Sequence, residues 1–296
     1  MISLVSTDNR VLVEACLRSL PAACEGLAWR VTVVDNASTD DTAEMIERDF
    51  PQAQLLRNDR RLGFSANHNR VVQPVLDEDL ARYVVILNED TELDSGCVAR
   101  LVAFADERPR VGVVGPEIYG TDGERQPSYF PFPSAWGQFI HTLLPGRMSR
   151  TRKTGGWLNG SCLLVRVAAL REIGPLDERF FIFFEDTDLG YRMLEAGWDS
   201  IVAPGPRILH HGHMTVSQPA LGSAMERQML RSRYLYFEKH RGRRQAHLVA
   251  NAVRFALFAR AVKAWARREG TADGRRAARV LMGIAKYSPT ETLEHE

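Results

Sequence analysis

Short, continuous apolar runs alternate with helical patterns from the start of this chain to about residue 115. Continuous runs are typical of strands buried on both faces of a sheet, and strands alternating with helices predict an α/β fold with a mainly parallel sheet. Ligands of such sheets lie beyond the carboxyl ends of the strands. The predicted strands are Ile2–Thr7, Val31–Asp35, Gln54–Arg57, Tyr83–Leu87 and Val111–Gly115, and the predicted helices are Val11–Leu20, 40–48 and Cys97–Asp106.

The pattern changes after Thr121. Prolines and glycines interrupt it as far as Lys153, and a compact domain usually keeps so long a loop for a function such as covering a substrate. A strand is predicted again at Ser161–Val167, followed by a short helix and an aromatic segment that leads into another helix. From Ala224 onward the sequence is helical, basic and rich in alanine. We therefore expect a basic helical extension after the α/β region.

The charges divide the chain into an acidic body and a basic tail. The net charge is only +1, yet Glu226–Arg279 carries 15 Lys and Arg against 4 Asp and Glu, a net of +11. The other residues carry 23 cationic against 33 anionic side chains, a net of −10. This asymmetry predicts a second role for the tail, and the alternative is a set of solvated helix faces.

Composition also indicates the compartment. The 296 residues are 45% hydrophobic, which suffices for one large core or two modest ones. Four cysteines without metal-ligand spacing favour a reduced compartment. We see no signal peptide and no run near the roughly 18 apolar residues of a spanning helix. We therefore expect a cytoplasmic protein that is neither secreted nor membrane-spanning.

Polar residues follow the second predicted strand. A carboxylate such as Asp35, which is followed by Asn36, can accept hydrogen bonds from a nucleotide base or a ribose hydroxyl. The alternative is helix capping, because such residues are common in strand-to-helix turns. Ser38 and Asp41 indeed have the spacing of a capping box.

Acidic residues follow the fourth predicted strand, at Asn88-Glu89-Asp90. Carboxylates crowded at a strand end repel one another unless a cation lies among them. A hard divalent ion bound by one or two carboxylates and by substrate phosphates is the usual solution. The alternative is a solvated acidic turn.

Two further clusters carry candidate chemistry. Glu185 and Asp186 follow FFIFF, and an apolar surrounding raises the pKa of a carboxylate toward that of a useful base. The alternative is a favourable interaction with a helix N-terminus. His210, His211 and His213 cluster after another predicted strand. One of them completes a metal site in our interpretation, and phosphate contact or packing are the alternatives.

Five segments occur in the order VVDNASTDD, LGFSANHN, ILNEDTELD, LNGSCLLVRVAAL and LDERFFIFFEDTDLGYRMLEAGW. Together they resemble glycosyltransferase family 2, above all its rhamnosyltransferase-like branch, over about Met1–Ser217. The resemblance implies a GT-A fold, a mainly parallel sheet flanked by helices. It implies a catalytic domain over 1–218, of which about 1–115 bind the nucleotide sugar and about 116–218 the acceptor. The basic helical region then takes 219–296.

The resemblance also implies roles for single residues. Asp186 matches the family's catalytic base, and Glu185 its neighbour that orients the acceptor or the loop. Asp90 matches the last acidic residue of the metal motif, and His210 a downstream histidine that reaches the metal, although His211 and His213 leave the register open. Donor binding is implied for Thr7, Asp35, Asn36, Arg57, the loop Gly63–Asn67, Asn88 and Glu89, and acceptor binding for Trp157 and Gly160.

One position departs from the family's pattern. Arg61 stands where many members have Asn. It contacts phosphate or marks a subfamily.

The function implied is that of an inverting glycosyltransferase that depends on Mg²⁺ or Mn²⁺. It would move L-rhamnose from dTDP-rhamnose to a hydroxyl of a glycan or lipid-linked acceptor, in cell-envelope polysaccharide synthesis, and UDP- or GDP-linked sugars stay open as donors. A sugar nucleotidyltransferase is the alternative enzyme, but its Gly-rich loop after the first strand is replaced here by STDNR. A non-catalytic nucleotide-sugar-binding protein would have lost Asp90 or Asp186.

For the basic tail, the expected partner is an anionic membrane surface on the inner face of the plasma membrane. Apolar residues bury at the headgroup boundary while cations meet anionic lipid. Packing on the catalytic domain and a homodimer through the C-terminal helices are the alternatives, and nucleic acid is not expected because aromatics are not interleaved for stacking. The apolar residues at helical spacing are Leu248, Val249, Val253, Leu257, Phe258, Ala261, Val262 and Trp265, with cations at Arg254, Lys263, Arg267 and Arg268.

Overall fold

The structure is a computed structural model that describes residues 1–138, 155–212 and 219–267. The described residues form two compact units. Unit 1 comprises 1–132, 155–181 and 185–212, and unit 2 comprises 133–138, 182–184 and 219–267. The predicted division into a catalytic domain over 1–218 and a tail over 219–296 stays a prediction about function.

Unit 1 is built on one mixed sheet, in the strand order β3-β2-β1-β4-β10-β6-β11-β5, with β7 beside β6. The first four strands in this order are parallel to one another, as are β6 and β11. Strand β10 runs antiparallel to both β4 and β6. The strands are β1 (Ile2–Ser6), β2 (Val31–Asp35), β3 (Gln54–Arg57), β4 (Tyr83–Asn88), β5 (Thr91–Leu93), β6 (Val111–Tyr119), β7 (Arg125–Gln126), β10 (Cys162–Arg166) and β11 (Asp199–His210). A separate pair, β8 (Tyr129–Pro131) and β9 (Gly156–Leu158), is antiparallel.

Helices cover both faces of this sheet, which confirms the predicted α/β fold. Along β4, Val85 and Leu87 belong to one apolar core, whereas Val84 and Ile86 belong to the other, because successive side chains of a strand point to opposite faces. The first core is completed by α1 (Arg10–Ala23), α2 (Thr42–Asp49) and α4 (Cys97–Asp106). The second is completed by α3 (Phe64–Glu78), α5 (Val167–Ile173) and α6 (Glu185–Glu195).

Two local features differ from the sequence prediction. Residues 63–67 are not a loop, because Gly63 is the N-cap of α3 and Asn67 lies inside that helix. The capping box at α2 does not form, since its N-cap Asp41 makes no side-chain cap hydrogen bond. Instead Ser38 Oγ accepts a hydrogen bond from Asp8 N at 3.0 Å, so Ser38 joins two loops rather than capping a helix.

Unit 2 contains α7 (Pro219–Arg241) and α8 (Arg243–Arg267), which pack against each other. The predicted basic helical region is thus helical as far as residue 267. Ser232 of α7 donates a hydrogen bond to the carbonyl of Ile182 at 2.7 Å. No helix within the described ranges is long and apolar enough to cross a membrane.

Candidate active site

Loops after β1 and β4 meet at the carboxyl edge of the sheet. The Glu89 carboxylate accepts hydrogen bonds from Thr7 N at 3.0 Å and from Asn9 Nδ2 at 3.2 Å. Burial raises the pKa of Glu89 to about 7, and the hydrogen bond from Thr7 N opposes that rise. Glu89 thus holds the loop that follows β1, and two residues predicted to bind the donor, Thr7 and Glu89, contact each other.

Asp35 ends β2 with one carboxylate oxygen unused. Its side chain is buried, and Oδ1 has no hydrogen-bond partner among the described residues. The other oxygen, Oδ2, accepts a long hydrogen bond of 3.4 Å from Ser38 N. A buried acceptor without a partner is costly and marks a place where a ligand N–H or O–H would bind. Asp35 is therefore suited to hold a nucleotide base or ribose.

Asn36, by contrast, is engaged within the protein. Its Nδ2 donates to Thr7 Oγ1 at 3.3 Å and to Leu62 O at 3.1 Å. Its Oδ1 accepts from Leu62 N at 2.7 Å and from Asn58 Nδ2 at 3.0 Å. Asn67 joins the same network, donating to Leu62 O and accepting from Asn58. Asn36 and Asn67 therefore shape the walls of the site, and their predicted contact with the donor stays a prediction.

The other predicted donor residues have structural partners as well. The Arg57 guanidinium pairs with Glu44 at 3.2 Å and with Glu47 at 3.1 Å on α2. A Cβ added at Gly63 would lie 2.7 Å from the Cα of Phe181, so Gly63 allows the chain to pass close to that backbone. Contact of Arg57 and Gly63 with the donor stays a prediction.

Arg61, the position that departs from the family's pattern, pairs with Asp8. Asp8 also accepts hydrogen bonds from Thr39 N and Thr39 Oγ1. The pKa of Asp8 is lowered by the hydrogen bond from Thr39 N, by the one from Thr39 Oγ1 and by the nearby Arg61 cation. Asp8 therefore joins the loops after β1 and β2, and Arg61 ties the loop after β3 to it, which explains the place of Arg61 without invoking phosphate.

Asp90 and His210 lie together although 120 positions separate them. His210 Nε2 is 3.4 Å from Asp90 Oδ2, because β11 pairs with β5 so that His210 stands opposite Thr91. His210 Nδ1 lies 3.2 Å from the carbonyl oxygen of the Gln126 side chain. If Nδ1 carries the proton and donates it to this oxygen, the lone pair of Nε2 is free to bind a metal. A hydrogen-bond partner such as Gln126 orients metal-binding histidines in this way.

The neighbouring histidine is occupied elsewhere. His211 Nε2 lies 2.7 Å from Glu92 Oε1, and its backbone N–H donates to Asp90 O at 2.9 Å. Successive residues of a strand point to opposite faces, so His210 alone of these two faces Asp90. His213 lies outside the described residues. The structure thus favours His210 over His211 as a metal ligand.

The Asp90–His210 pair fits a divalent cation. Neighbouring ligands of an octahedral ion at about 2.1 Å are about 3 Å apart, close to the 3.4 Å between Oδ2 and Nε2. The carboxylate suits Mg²⁺ or Mn²⁺ alike, and the imidazole is a ligand more typical of the later transition metals. The described residues contain no cluster of three or more metal-ligating side chains. A cation here would take its other ligands from a substrate, from water or from residues outside the described ranges.

Glu185 and Asp186 begin α6. Asp186 Oδ1 accepts from Thr187 N at 2.7 Å and from Thr187 Oγ1 at 3.2 Å, while Oδ2 accepts from Gly160 N at 3.2 Å. Burial raises the pKa of Asp186 to about 6, and the backbone N–H groups of Thr187 and Gly160 oppose that rise. Asp186 is therefore ionised at neutral pH and still basic enough to take a proton.

Its neighbour Glu185 lies in a different environment. The side chain is buried, and Oε2 has no hydrogen-bond partner in the described parts of the chain. Burial, with the adjacent Asp186 carboxylate, raises the pKa of Glu185 well above its ordinary value. Two carboxyl groups in such different settings take different roles: Asp186 suits a base, and Glu185 suits a neutral hydrogen-bonding group.

The backbone before these carboxyl groups is strained. Phe183 and Phe184 have φ of 69° and 68°, a region that costs about 1–3 kcal/mol for a non-glycine residue. Two successive residues of this kind turn the chain sharply into α6. Strain of this sort concentrates at functional sites, and an aromatic sequence gave no sign of it.

Main-chain hydrogen bonds connect Asp186 to the end of β4. Asn88 N donates to Ser161 O at 2.9 Å, and the next residue back, Gly160, donates its N–H to Asp186. A Cβ at Gly160 would lie 3.3 Å from Asp186 Oδ2, so a side chain there would crowd the carboxylate. Gly160 and Asp186, both predicted site residues, are thus brought together, and Asn88 is one hydrogen bond away.

Trp157 packs beside this turn. Its ring stacks on Phe130 with centroids 4.7 Å apart and planes at 22°. A Cβ at Gly190 would lie 2.8 Å from the Cβ of Trp157, so Gly190 of α6 lets the indole approach. The indole N–H is buried without a partner in the described structure. It is therefore a donor that a ligand hydroxyl could satisfy.

The sequence analysis missed several residues that hold the site together. Gln126 orients His210, Thr187 holds Asp186, and Arg192 forms a 2.8 Å ion pair with the fully buried Asp188 on α6. The i,i+4 spacing of Asp188 and Arg192 was visible in the sequence. Gln126 was not predictable, because it contacts a residue 84 positions away.

The chain is similar in sequence to known glycosyltransferases. The family model described as glycosyl transferase family 2 matches residues 5–174. The N-acetylglucosaminyl-diphospho-decaprenol L-rhamnosyltransferase of Mycobacterium tuberculosis (strain H37Rv) is 32% identical over 257 residues, which cover 78% of this chain and 81% of the relative. The Agl10 low-salt glycan biosynthesis hexosyltransferase of Haloferax volcanii is 24% identical over 60% of this chain and 57% of its own length.

Solved structures share the fold. The mannosyltransferase PcManGT of Pyrobaculum calidifontis, in complex with GDP-Man and Mn²⁺, superposes with a TM-score of 0.56 at 16% identity, over 97% of this chain and 80% of that one. GalNAc-T7 with UDP, GalNAc and Mn²⁺ superposes with a TM-score of 0.55 at 14% identity, over 80% of this chain. The chain spans only 49% of GalNAc-T7. At these identities the likeness shows a common fold.

Proposed function

Because the chain belongs to glycosyl transferase family 2 and is a glycosyltransferase of the GT-A fold, we propose that it inverts the anomeric carbon of the sugar it transfers. The donor is a nucleoside-diphosphate sugar, and dTDP-L-rhamnose is the one proposed here. The acceptor is a hydroxyl of a sugar carried on a polyprenyl diphosphate. Support for rhamnose as the sugar and for the polyprenyl-diphosphate acceptor comes from the mycobacterial rhamnosyltransferase, which is 32% identical.

The observation that carries the proposal is the pairing of two chemical groups at one sheet edge. Asp90 Oδ2 and His210 Nε2 lie 3.4 Å apart, which supports a cation site there, and Asp186 is joined to the same strand end through Gly160, Ser161 and Asn88. A site for the diphosphate and a base for the acceptor are the two elements that direct displacement requires. No enzyme nucleophile is needed for inversion.

The proposed role of Asp186 follows from its pKa and hydrogen bonds. The acceptor hydroxyl oxygen attacks the anomeric carbon, its proton passes to Asp186, and the bond from that carbon to the diphosphate oxygen breaks. The nucleoside diphosphate leaves with the bonding electron pair. Attack from the face opposite the leaving group gives inversion in one step, and Asp186 contributes as a general base.

The other residues bind and orient in this proposal. Asp35 Oδ1 accepts a hydrogen bond from the base or ribose, which satisfies its unpaired oxygen. Asp90 and His210 hold Mn²⁺ or Mg²⁺, which supplies Lewis-acid stabilisation of charge on the departing diphosphate. Trp157 offers its ring and its unpaired N–H to the acceptor sugar. Glu185, neutral when buried, orients the acceptor hydroxyl or the loop.

The donor is tested by thermal shift and by transfer. Purified protein is heated with dTDP, UDP or GDP, each with Mn²⁺ or with EDTA, and then incubated with the matching sugar donors and a short-chain N-acetylglucosaminyl-diphospho-polyprenol. We expect the largest Mn²⁺-dependent stabilisation with dTDP and transfer of rhamnose with inversion, read from the anomeric proton by NMR. Equal transfer in EDTA would contradict the metal role, and retention would contradict the mechanism.

Two histidine variants provide a matched comparison. His210→Gln and His211→Gln make the same chemical change at adjacent positions, but only His210 has its side chain beside that of Asp90. We expect His210→Gln to raise the Mn²⁺ concentration for half-maximal activity by about 10–100-fold, as for lost support of a metal site, and His211→Gln to raise it much less. Equal effects would reject His210 as the ligand.

A further inference from the structure

The long helix α8 of unit 2 has apolar residues on two faces. Its buried face consists of Val249, Val253, Ala256 and Leu257, and α8 packs against α7. A helix that is apolar all round is normally buried all round. In α8, however, Leu248, Phe255, Phe258 and Val262 are exposed by 68%, 63%, 46% and 45%.

These four exposed side chains form one stripe. At about 100° per residue, positions 248, 255, 258 and 262 fall within about 80° of one another, on the side opposite the buried face. Of the apolar residues that recur at helical spacing in the sequence, Val249, Val253 and Leu257 are buried, whereas Leu248, Phe258 and Val262 are exposed. The outer stripe is therefore a separate surface, and its occupant has to be identified.

The charge of α8 indicates which partner covers the outer stripe. Arg243–Arg267 contains six Lys and Arg and no Asp or Glu. The spacing of the stripe also suits a coiled-coil seam, but a second copy would bring the same charges against one another. An anionic surface would be attracted instead, and cations around an apolar stripe are the composition of helices that lie in a membrane interface.

We propose that the outer stripe of α8, with the cations beside it, docks on an anionic lipid bilayer. Leu248, Phe255, Phe258 and Val262 enter the boundary between headgroups and acyl chains. Arg243 and Arg244, both exposed at the start of α8, meet anionic headgroups. This places the enzyme on the surface where a lipid-linked acceptor of the proposed function would lie, but the docking itself needs neither donor nor acceptor.

The test is co-sedimentation of the full chain with vesicles, without any sugar donor. We expect binding to phosphatidylglycerol vesicles at low salt, little binding to phosphatidylcholine vesicles, and weaker binding at high salt because screening acts on the lipid–cation attraction. Phe255→Ser with Phe258→Ser should lower the partition coefficient at least about tenfold. The matched control, Val11→Ser with Leu80→Ser, changes two exposed apolar side chains of unit 1 and should bind like the wild type.

A charge variant completes the design. Arg243→Gln with Arg244→Gln should weaken binding to anionic vesicles by about tenfold or more, at roughly 1 kcal/mol per cation, and leave binding to phosphatidylcholine unchanged. Absence of binding to anionic vesicles at low salt would overturn the proposal. So would binding that survives the double Phe replacement. A second copy would be the occupant if the wild type binds no lipid but self-associates in sedimentation velocity without lipid, and the double Phe variant does not self-associate.

Discussion

Replacing Asp186 by Asn is the perturbation with the most definite expected outcome. Asn keeps the size of the side chain and one carbonyl oxygen, which replaces one of the two oxygens that accept from Thr187 N and Gly160 N, but it cannot take a proton. Loss of a general base typically lowers turnover by about 10²–10⁴-fold. Binding of nucleoside diphosphate with Mn²⁺ should persist, because Asp186 does not belong to the Asp90–His210 pair.

The pKa of Asp186 sets the pH dependence of the wild type. With a pKa of about 6, the carboxylate is about 90% ionised at pH 7 and about 10% ionised at pH 5. We therefore expect kcat/KM to fall on the acid side with an apparent pKa near 6, which belongs to the Glu185–Asp186 pair. The residual activity of Asp186→Asn should lack this acid limb.

The same shift makes a prediction for stability. A carboxyl group whose pKa rises on folding from 3.8 to about 6 favours the folded state when protonated, so stability is highest below about pH 4 and is lost as pH rises through 6. This corresponds to at most about 3 kcal/mol. Asn does not titrate. The free energy of unfolding of Asp186→Asn should therefore rise relative to that of the wild type by up to about 3 kcal/mol between pH 4 and pH 7.

The assays are initial rates of sugar transfer from pH 5 to 8 and urea unfolding at pH 4, 5.5 and 7. Glu185→Gln is the matched control, because it removes the neighbouring carboxyl group. If Asp186→Asn turns over like the wild type while Glu185→Gln is inactive, the base has been assigned to the wrong carboxyl group. A stability difference that stays constant with pH would refute the buried-charge argument.

Three further outcomes are expected. Asp90→Ala should abolish Mn²⁺-dependent stabilisation by nucleoside diphosphate in a thermal-shift assay, and unchanged stabilisation would remove Asp90 from the metal site. Gly63→Ala should lower the free energy of unfolding by about 1–3 kcal/mol in urea, because its Cβ would lie 2.7 Å from Phe181 Cα; a neutral result would mean that this backbone shifts freely. Asn36→Ala should raise the donor KM more than it lowers kcat, since it releases the loop at Leu62; a change in kcat alone would argue against that role.

Much of the sheet could be predicted from continuous apolar runs. The predicted strands at Val31–Asp35 and Gln54–Arg57 match β2 and β3, and Tyr83–Leu87 falls one residue short of β4. The antiparallel course of β10 was not predictable, because direction in a sheet depends on where the chain returns and not on local composition. Helix α3 was not predicted at all, because its N-cap Gly63 has no side chain to give a capping signal and Pro74 interrupts its sequence.

The limits at the site have similar causes. Strand ends and an apolar flank are visible in the sequence and indicated the segments 88–90 and 185–186, whereas Asp90 and Asp186 were singled out only by the resemblance to family 2. The choice between His210 and His211 required the register of β11 against β5, in which His210 stands opposite Thr91, and a shift of one residue would exchange the two. The internal use of Asn36 depends on Leu62, 26 positions away, which no local pattern encodes.

In chimaeras with related transferases, the donor pocket should be exchanged more readily than the hydrogen bonds that hold Asp186. The bonds that keep Asp186 in register with β4 run through main-chain atoms of Gly160, Ser161 and Asn88. These atoms are the same whichever side chains line the pocket, so substitutions at its rim leave the base where it is. A recombination junction between β4 and β10, however, would pair strands from different parents at this connection. Crossovers are better placed before β4 or after α6.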